Sequence, residues 1–246
     1  MTTPPMFVTT SWDDGHVLDL KVAELLERHG LAGTFYVAPR SLELLARERL
    51  EAGAVRSLAG GFEIGGHTLT HRRLPGLTRA DAADEISRGK DELEQMLGSR
   101  VQSFAYPGGE YGGRDVTLVG DAGFTLARTV QRHVTELPGD PLRLGTTIHA
   151  YRHWSDIRAI AGSCDFRPAT AVSRFWHWDQ LARALFDDVL ERGGVFHLWG
   201  HSWEIERHRD WERLEHVMAY LGGRTDVTYL TNGELVAEST EPTSER

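Results

Sequence analysis

Along most of this chain the apolar positions switch between two periods. Residues 6–12 (Met-Phe-Val-Thr-Thr-Ser-Trp) are β-branched and aromatic and run into Asp13-Asp14-Gly15, which predicts a strand whose C-terminal end presents two carboxylates. Leu18, Val22, Leu25 and Leu26 then recur at helical spacing over 18–29, with Gly30 as the stop. Residues 33–38 read as a second strand closed by Pro39, so the chain opens as a β-α-β unit. A helix is predicted over 41–58, a short strand over 62–65, and a helix over 78–97 with Thr78 as N-cap and Gly98 beyond its end. Further strands are expected at 101–106, 124–130, 146–151, 195–200 and 226–230, and helices at 114–122, 179–192 and 210–221. The periodicity weakens over 131–169, and the segment 237–246 reads as a disordered tail.

Strand and helix alternating over the whole length predict an α/β fold, a parallel sheet with helices outside. Polar residues gathered at several strand C-terminal ends favour a barrel over a doubly wound sheet, because barrels collect their active sites there. No linker interrupts the pattern, so a single domain is expected over 1–236.

Composition narrows the function classes. Lys and Arg number 27 against 36 Asp and Glu, a formal charge of -9, and the arginines form no stripe, so nucleic acid is not an expected partner. No stretch approaches the roughly 20 apolar residues of a membrane span. The N-terminus shows neither a basic start nor an apolar run, which makes cytoplasmic the expected location. The single cysteine, Cys164, has no internal partner and is expected to be an inert core thiol. The 12 histidines cluster at 67 and 71, 149 and 153, and 197 and 201, and imidazole is both a common metal ligand and a proton carrier.

Two constellations carry chemistry. Adjacent carboxylates at Asp13 and Asp14 point to different sides of an extended chain, so one can bind a cation while the other accepts a proton. In Gly65-Gly66-His67-Thr68-Leu69-Thr70-His71 the two imidazoles are four positions apart, which puts them on one face if the stretch turns helically. Asp14, His67 and His71 together leave coordination positions open, as a catalytic metal site requires.

Thr-Ser-Trp-Asp-Asp-Gly and His-Thr-Leu-Thr-His, in that order, resemble the hallmark blocks of the polysaccharide deacetylases, carbohydrate esterase family four. The resemblance implies a distorted (β/α) barrel, TIM-like with about seven strands, with Asp13 as general base and Asp14, His67 and His71 as metal ligands. It implies a divalent metal, zinc by ligand type, with nickel, cobalt, iron or manganese as alternatives. The family's third block looks like Ala105-Tyr106-Pro107-Gly108-Gly109, which makes Tyr106 and Pro107 candidate substrate contacts and a backbone N–H near Tyr106 a candidate oxyanion donor. The arginine of that block is absent, and Arg128 at the end of the 124–130 strand is the candidate replacement that orients the base. Leu198-Trp199-Gly200-His201 resembles the last block, making His201 the candidate acid, with His197 as rival and Trp199 and Trp203 as candidate pocket residues. The block that orients the acid has no clean counterpart near 146–154, and Asp156, Glu204 or neither are the open alternatives for its carboxylate. The implied substrate is an N-acetylated amino sugar, glycan or sugar precursor. A non-sugar amide hydrolase and a catalytically silent carbohydrate-binding barrel are the rival readings.

Overall fold

The protein is described as a computed structural model, in which residues 5–163 and 168–240 are placed. In chain order the regular elements are β1 (Met6–Trp12), α1 (Asp19–His29), β2 (Thr34–Val37), α2 (Ala52–Leu58), β3 (Glu63–Gly66), α3 (Arg79–Leu97), β4 (Ser103–Ala105), α4 (Gly113–Asp121), β5 (Leu126–Arg128), β6 (Ile148–His149), α5 (Ile157–Ser163), α6 (Pro168–Trp176), α7 (Trp178–Arg192), β7 (Gly194–Gly200), α8 (Ser202–His208), α9 (Trp211–Leu221), β8 (Thr228–Tyr229) and α10 (Asn232–Thr240).

The strands are parallel and ordered β5-β4-β3-β2-β1-β7-β6. β1 is central and every one of its residues is buried, as expected for a parallel strand covered on both faces. β7 runs beside its full length, from Met6 opposite Gly194 to Trp12 opposite Gly200. On its other side β1 meets β2 only through Ser11 and Trp12, and β8 through Phe7 and Val8. The curled sheet meets itself at a seam where Leu144, in the segment leading to β6, forms a parallel bridge with Arg128 of β5. The result is a distorted (β/α) barrel, with seven strands in one path and β8 beside the start of β1.

Several predicted elements are redrawn. The helix expected over 41–58 is α2 preceded by a single 3-10 turn, Ala46–Glu48. Residues ahead of it bond elsewhere: Arg40 N–H to Leu69 O, Leu42 N–H to Thr70 O, and Leu50 N–H to Gly15 O. The tail expected to be disordered after residue 236 is helical as far as Thr240, where α10 ends. That helix is docked, because Leu235 and Val236 pack with Phe7, Leu126 and Val195. Asn232 reaches inward, accepting from Thr9 Oγ1 (2.7 Å) and donating to Tyr36 OH (2.9 Å). Residues 241–246 and Cys164 lie outside the described residues. No helix of the described residues is long and apolar enough to cross a membrane.

Candidate active site

Asp13, Asp14, His67, His201 and Arg128 all sit at or just beyond the C-terminal ends of strands, on one rim of the barrel. Asp13 continues β1, its N–H donating to Gly200 O at 3.0 Å. At Asp14 the backbone turns left-handed (φ 82°), followed by Gly15 (φ 71°), whose missing Cβ makes room for Val37 Cγ1. The turn, rather than the alternation of an extended chain, sends the two carboxylates apart. Asp13 Oδ1 accepts from Arg128 Nη2, and Asp14 Oδ1 faces the two histidines.

The segment 67–71 does not turn helically. Thr68 (φ 60°) and His71 (φ 67°) are left-handed, and such non-glycine conformations persist only when the surroundings over-determine them. Here α3 supplies that constraint. Glu85 accepts from the Thr70 N–H (2.9 Å) and hydroxyl (2.7 Å), and its own carbonyl accepts from the Leu69 N–H (2.8 Å). Gly89 lets the helix approach so closely that an added Cβ would meet the Thr68–Leu69 peptide at 2.7 Å. These two supports are invisible to motif reading, since neither touches the cavity. The glycine pair before His67 also serves packing, Gly65 lying against the Tyr36 ring and Gly66 against Phe124.

His67 Nδ1 lies 2.7 Å from Ala105 O, and since a carbonyl only accepts, Nδ1 carries the proton and Nε2 presents its lone pair. That lone pair points at Asp14 Oδ1, 3.6 Å away, while His71 Nε2 is 3.2 Å from the same oxygen. Outer partners hold this set: Glu43 Oε2 lies 3.1 Å from His71 Nδ1, and Trp203 Nε1 donates to Asp14 Oδ2 at 2.7 Å. Asp14 Oδ1 is buried with no hydrogen-bond partner. Donors about 2.0–2.2 Å from a tetrahedral ion stand ~3.4 Å from one another, so the three side chains fit a zinc-type divalent ion.

Charge is arranged in opposition across the cavity. Burial pushes the Asp13 carboxyl up, but Arg128, His67 and His201 together hold it below the ordinary carboxylate value. Burial alone would lower the His201 imidazole, yet Glu204 and the charges of Asp14 and Asp13 push it up to about 9. Glu204 Oε2 is 3.2 Å from His201 Nδ1, so of the two open carboxylates the structure brings Glu204 to His201. Asp156 instead caps the His153 N–H (2.9 Å) and faces Arg132 and His133. Arg128 is fully buried, its guanidinium 4.8 Å from the Trp199 ring centroid and 5.2 Å from that of Tyr36.

His197 has no free nitrogen: Nδ1 meets Gly145 O at 3.1 Å and Nε2 meets Ser11 Oγ at 2.9 Å. Burial foremost, with Arg128 nearby, drives its pKa down to about 3, so it is a neutral strut inside the barrel. Tyr106 and Pro107, the candidate substrate contacts of the third block, do not line the cavity. Both are buried; the Tyr106 ring stacks on Tyr111 at 4.5 Å and its hydroxyl donates to Leu142 O. The Tyr106 N–H, too, is engaged, by Arg128 O. Gly108 and Gly109 of the same turn reach the cavity instead.

The cavity has a volume of about 380 Å³ and is lined by Asp13, Asp14, His67, His71, His201, Trp199 and Trp203. His149 and His153, one of the histidine clusters of the sequence, also line it, as do Glu43, Arg73, Val130 and Arg132, whose local pattern in the sequence does not separate them from surface residues. Its volume falls at the low end of small-molecule pockets, ~300–1,000 Å³.

A family model for polysaccharide deacetylase matches residues 1–127. A search of curated proteins finds no match. Among solved structures, a putative polysaccharide deacetylase from Mycobacterium smegmatis is 18% identical, with 100% of this chain and 99% of that chain covered and a TM-score of 0.65. A family 4 acetyl xylan esterase from Clostridium thermocellum, in complex with a cobalt ion, is 18% identical over 96% of this chain and 93% of that one, with a TM-score of 0.62. The Streptococcus pyogenes deacetylase PplD, in complex with acetate, is 19% identical over 56% of this chain, at a TM-score of 0.52. The present chain spans 62% of that protein's length.

Proposed function

The chain belongs to the polysaccharide deacetylase family, and from that premise we propose that it is a metal-dependent hydrolase removing an N-acetyl group from an amino sugar, glycan or sugar precursor. One observation carries the reading: an anionic base, Asp13 with Arg128, and a protonated acid, His201 with Glu204, line one cavity together with a three-donor metal set. Groups whose surroundings drive their pKa values apart are the mark of an acid/base pair.

Asp14, His67 and His71 would hold the divalent ion, zinc by donor type, with nickel, cobalt, iron or manganese accepted by the same set. When bound, such an ion supplies Lewis-acid polarisation of the acyl carbonyl and acidifies water. Asp13, ionised at neutral pH, takes a proton from the attacking water as oxygen adds to the carbonyl carbon. His201 delivers its proton to the departing nitrogen as the carbon–nitrogen bond breaks, leaving acetate and a free amine. Arg128 keeps Asp13 charged and aimed, and Glu204 keeps the His201 proton in place. Trp203, by holding Asp14 Oδ2, leaves Oδ1 to the metal position.

The test is acetate release from a panel of N-acetylglucosamine compounds by metal-replete protein, wild type beside His67→Ala. The expected result is acetate from wild type alone, with one tightly bound metal equivalent missing from the variant. Equal acetate from both, or none from the replete wild type across the panel, overturns the reading.

A further inference from the structure

Beside His149 and His201, which line the same cavity, a second carboxylate oxygen collects two imidazoles. Glu204 Oε2 is 3.0 Å from His149 Nε2 and 3.2 Å from His201 Nδ1, and the three donor atoms all lie within 4.8 Å of one another. The arrangement repeats that of Asp14 Oδ1 between His67 and His71 at 3.6 and 3.2 Å. The shared signature goes further, because His149 Nε2, like Asp14 Oδ1, is a buried polar atom with no aligned hydrogen-bond partner.

His149 is placed to act as a ligand. It lies opposite Trp199 in the β6–β7 pairing, and the two rings stack at 4.0 Å, which fixes the imidazole plane. Its Nδ1 is 2.6 Å from His153 Nε2, which stands in the place of the outer hydrogen-bond partner that orients a metal-bound imidazole. His149 Nε2 and Glu204 Oε2 face each other at 3.0 Å without a hydrogen bond in line between them, a gap that a cation held by both would fill. The ring is only 4% exposed, so water has little access to relieve it otherwise.

We propose that His149, His201 and Glu204 form a second divalent-metal site, of zinc type, whose filling takes His201 out of proton transfer. It fills after the first site, since Glu204 and His201 are only partly buried whereas all three donors of the first site are buried. The binding half of this inference is independent of the proposed reaction, whereas the inhibitory half rests on it.

Equilibrium dialysis of the full chain against zinc, with bound metal measured by atomic emission, decides the binding half. Wild type is expected to take up two equivalents, the second more weakly, and both His149→Ala and His67→Ala one each. Glu204→Gln, a nearly isosteric change, is expected to lose the second equivalent as well and serves if His149→Ala fails to fold. One equivalent in saturated wild type, or a second that survives both His149→Ala and Glu204→Gln, overturns the site. Acetate release against rising zinc decides the inhibitory half: a fall in wild type that is absent in His149→Ala supports it, and an equal fall in both overturns it. Should no acetyl substrate be turned over, dialysis still decides whether the site exists.

Discussion

The two walls of the cavity are made by different means. On one, Asp14, His67 and His71 are immobilised by backbone, with left-handed turns at Asp14, Thr68 and His71 and with α3 clamped on the loop through Glu85 and Gly89. On the other, His149, His201 and Glu204 hang from strand ends and the first turn of α8, held by one another and by the Trp199 ring. The first wall spends conformational strain, of order 1–3 kcal/mol per left-handed residue, on fixed donor positions. The second holds its groups through contacts that change with a single proton. A site that must keep an ion and also pass a proton needs both kinds of construction.

The comparison breaks most severely at the rigid wall. His67→Ala removes a donor whose tautomer and aim are both set, and several kcal/mol of transition-state stabilisation should go with the metal. Acetate release is expected to fall by ~10³-fold or more, with the tight metal equivalent gone by atomic emission. His201→Ala breaks the other wall: kcat should drop by ~10²–10⁴-fold while the first-site metal remains, so metal content separates the two variants. Trp203→Phe sharpens the contrast, since it frees Asp14 Oδ2 without touching a ligand. Metal affinity is expected to weaken by ~10–100-fold, measured by competition with a chelator.

The pH dependence tests the softer wall directly. His201 is active when protonated, so with its pKa at about 9 the alkaline limb of kcat/KM should fall as pH rises through that value. Glu204 raises that pKa, so Glu204→Gln should move the limb to lower pH and leave the acid limb, set by Asp13, in place. A limb that does not move would remove Glu204 as the positioning residue. The smallest effect concerns stability. Glu85→Ala leaves the half-buried Thr70 donors without their carboxylate and should cost ~1 kcal/mol, read as a lowered denaturation midpoint.

Legibility from sequence follows the same division. Asp13-Asp14-Gly15 and the His67–His71 spacing are local patterns, and local patterns survive without a structure. Arg128 meets Asp13 from 115 residues away, and only its position at a strand end gave it away. Glu204 stood level with Asp156 as a candidate because the contact that distinguishes them is spatial. Glu85 and Gly89 read as ordinary helix positions, their role being set by a loop packed on α3. Across 131–169 the periodicity fails because tertiary bonds order the chain instead, Val134 N–H to Thr146 O and Thr147 N–H to His197 O among them. The helices α5 and α6, at the end of that stretch and beyond it, are not predicted from sequence, and on and beside them apolar residues sit on open faces, with Trp154, Ile157, Val172 and Trp176 all exposed. The predicted helix over 41–58 overran for the converse reason, since Arg40 and Leu42 give their N–H groups to the histidine loop.

The seam of the barrel links folding to chemistry at one residue. Arg128 supplies the backbone bridge to Leu144 and the guanidinium that meets Asp13, and the neighbouring bonds, Thr129 N–H to Leu144 O and Leu144 N–H to Ala127 O, are the stitches on either side. Any local opening of that edge withdraws a cation from a buried carboxylate, so each excursion costs the seam's own hydrogen bonds and the stranding of an anion. The Thr129 and Leu144 amides should therefore be well protected from exchange for so short a strand, and their protection factors, taken against the intrinsic rate at each pH, should fall at low pH as Asp13 takes up a proton and no longer holds its partner.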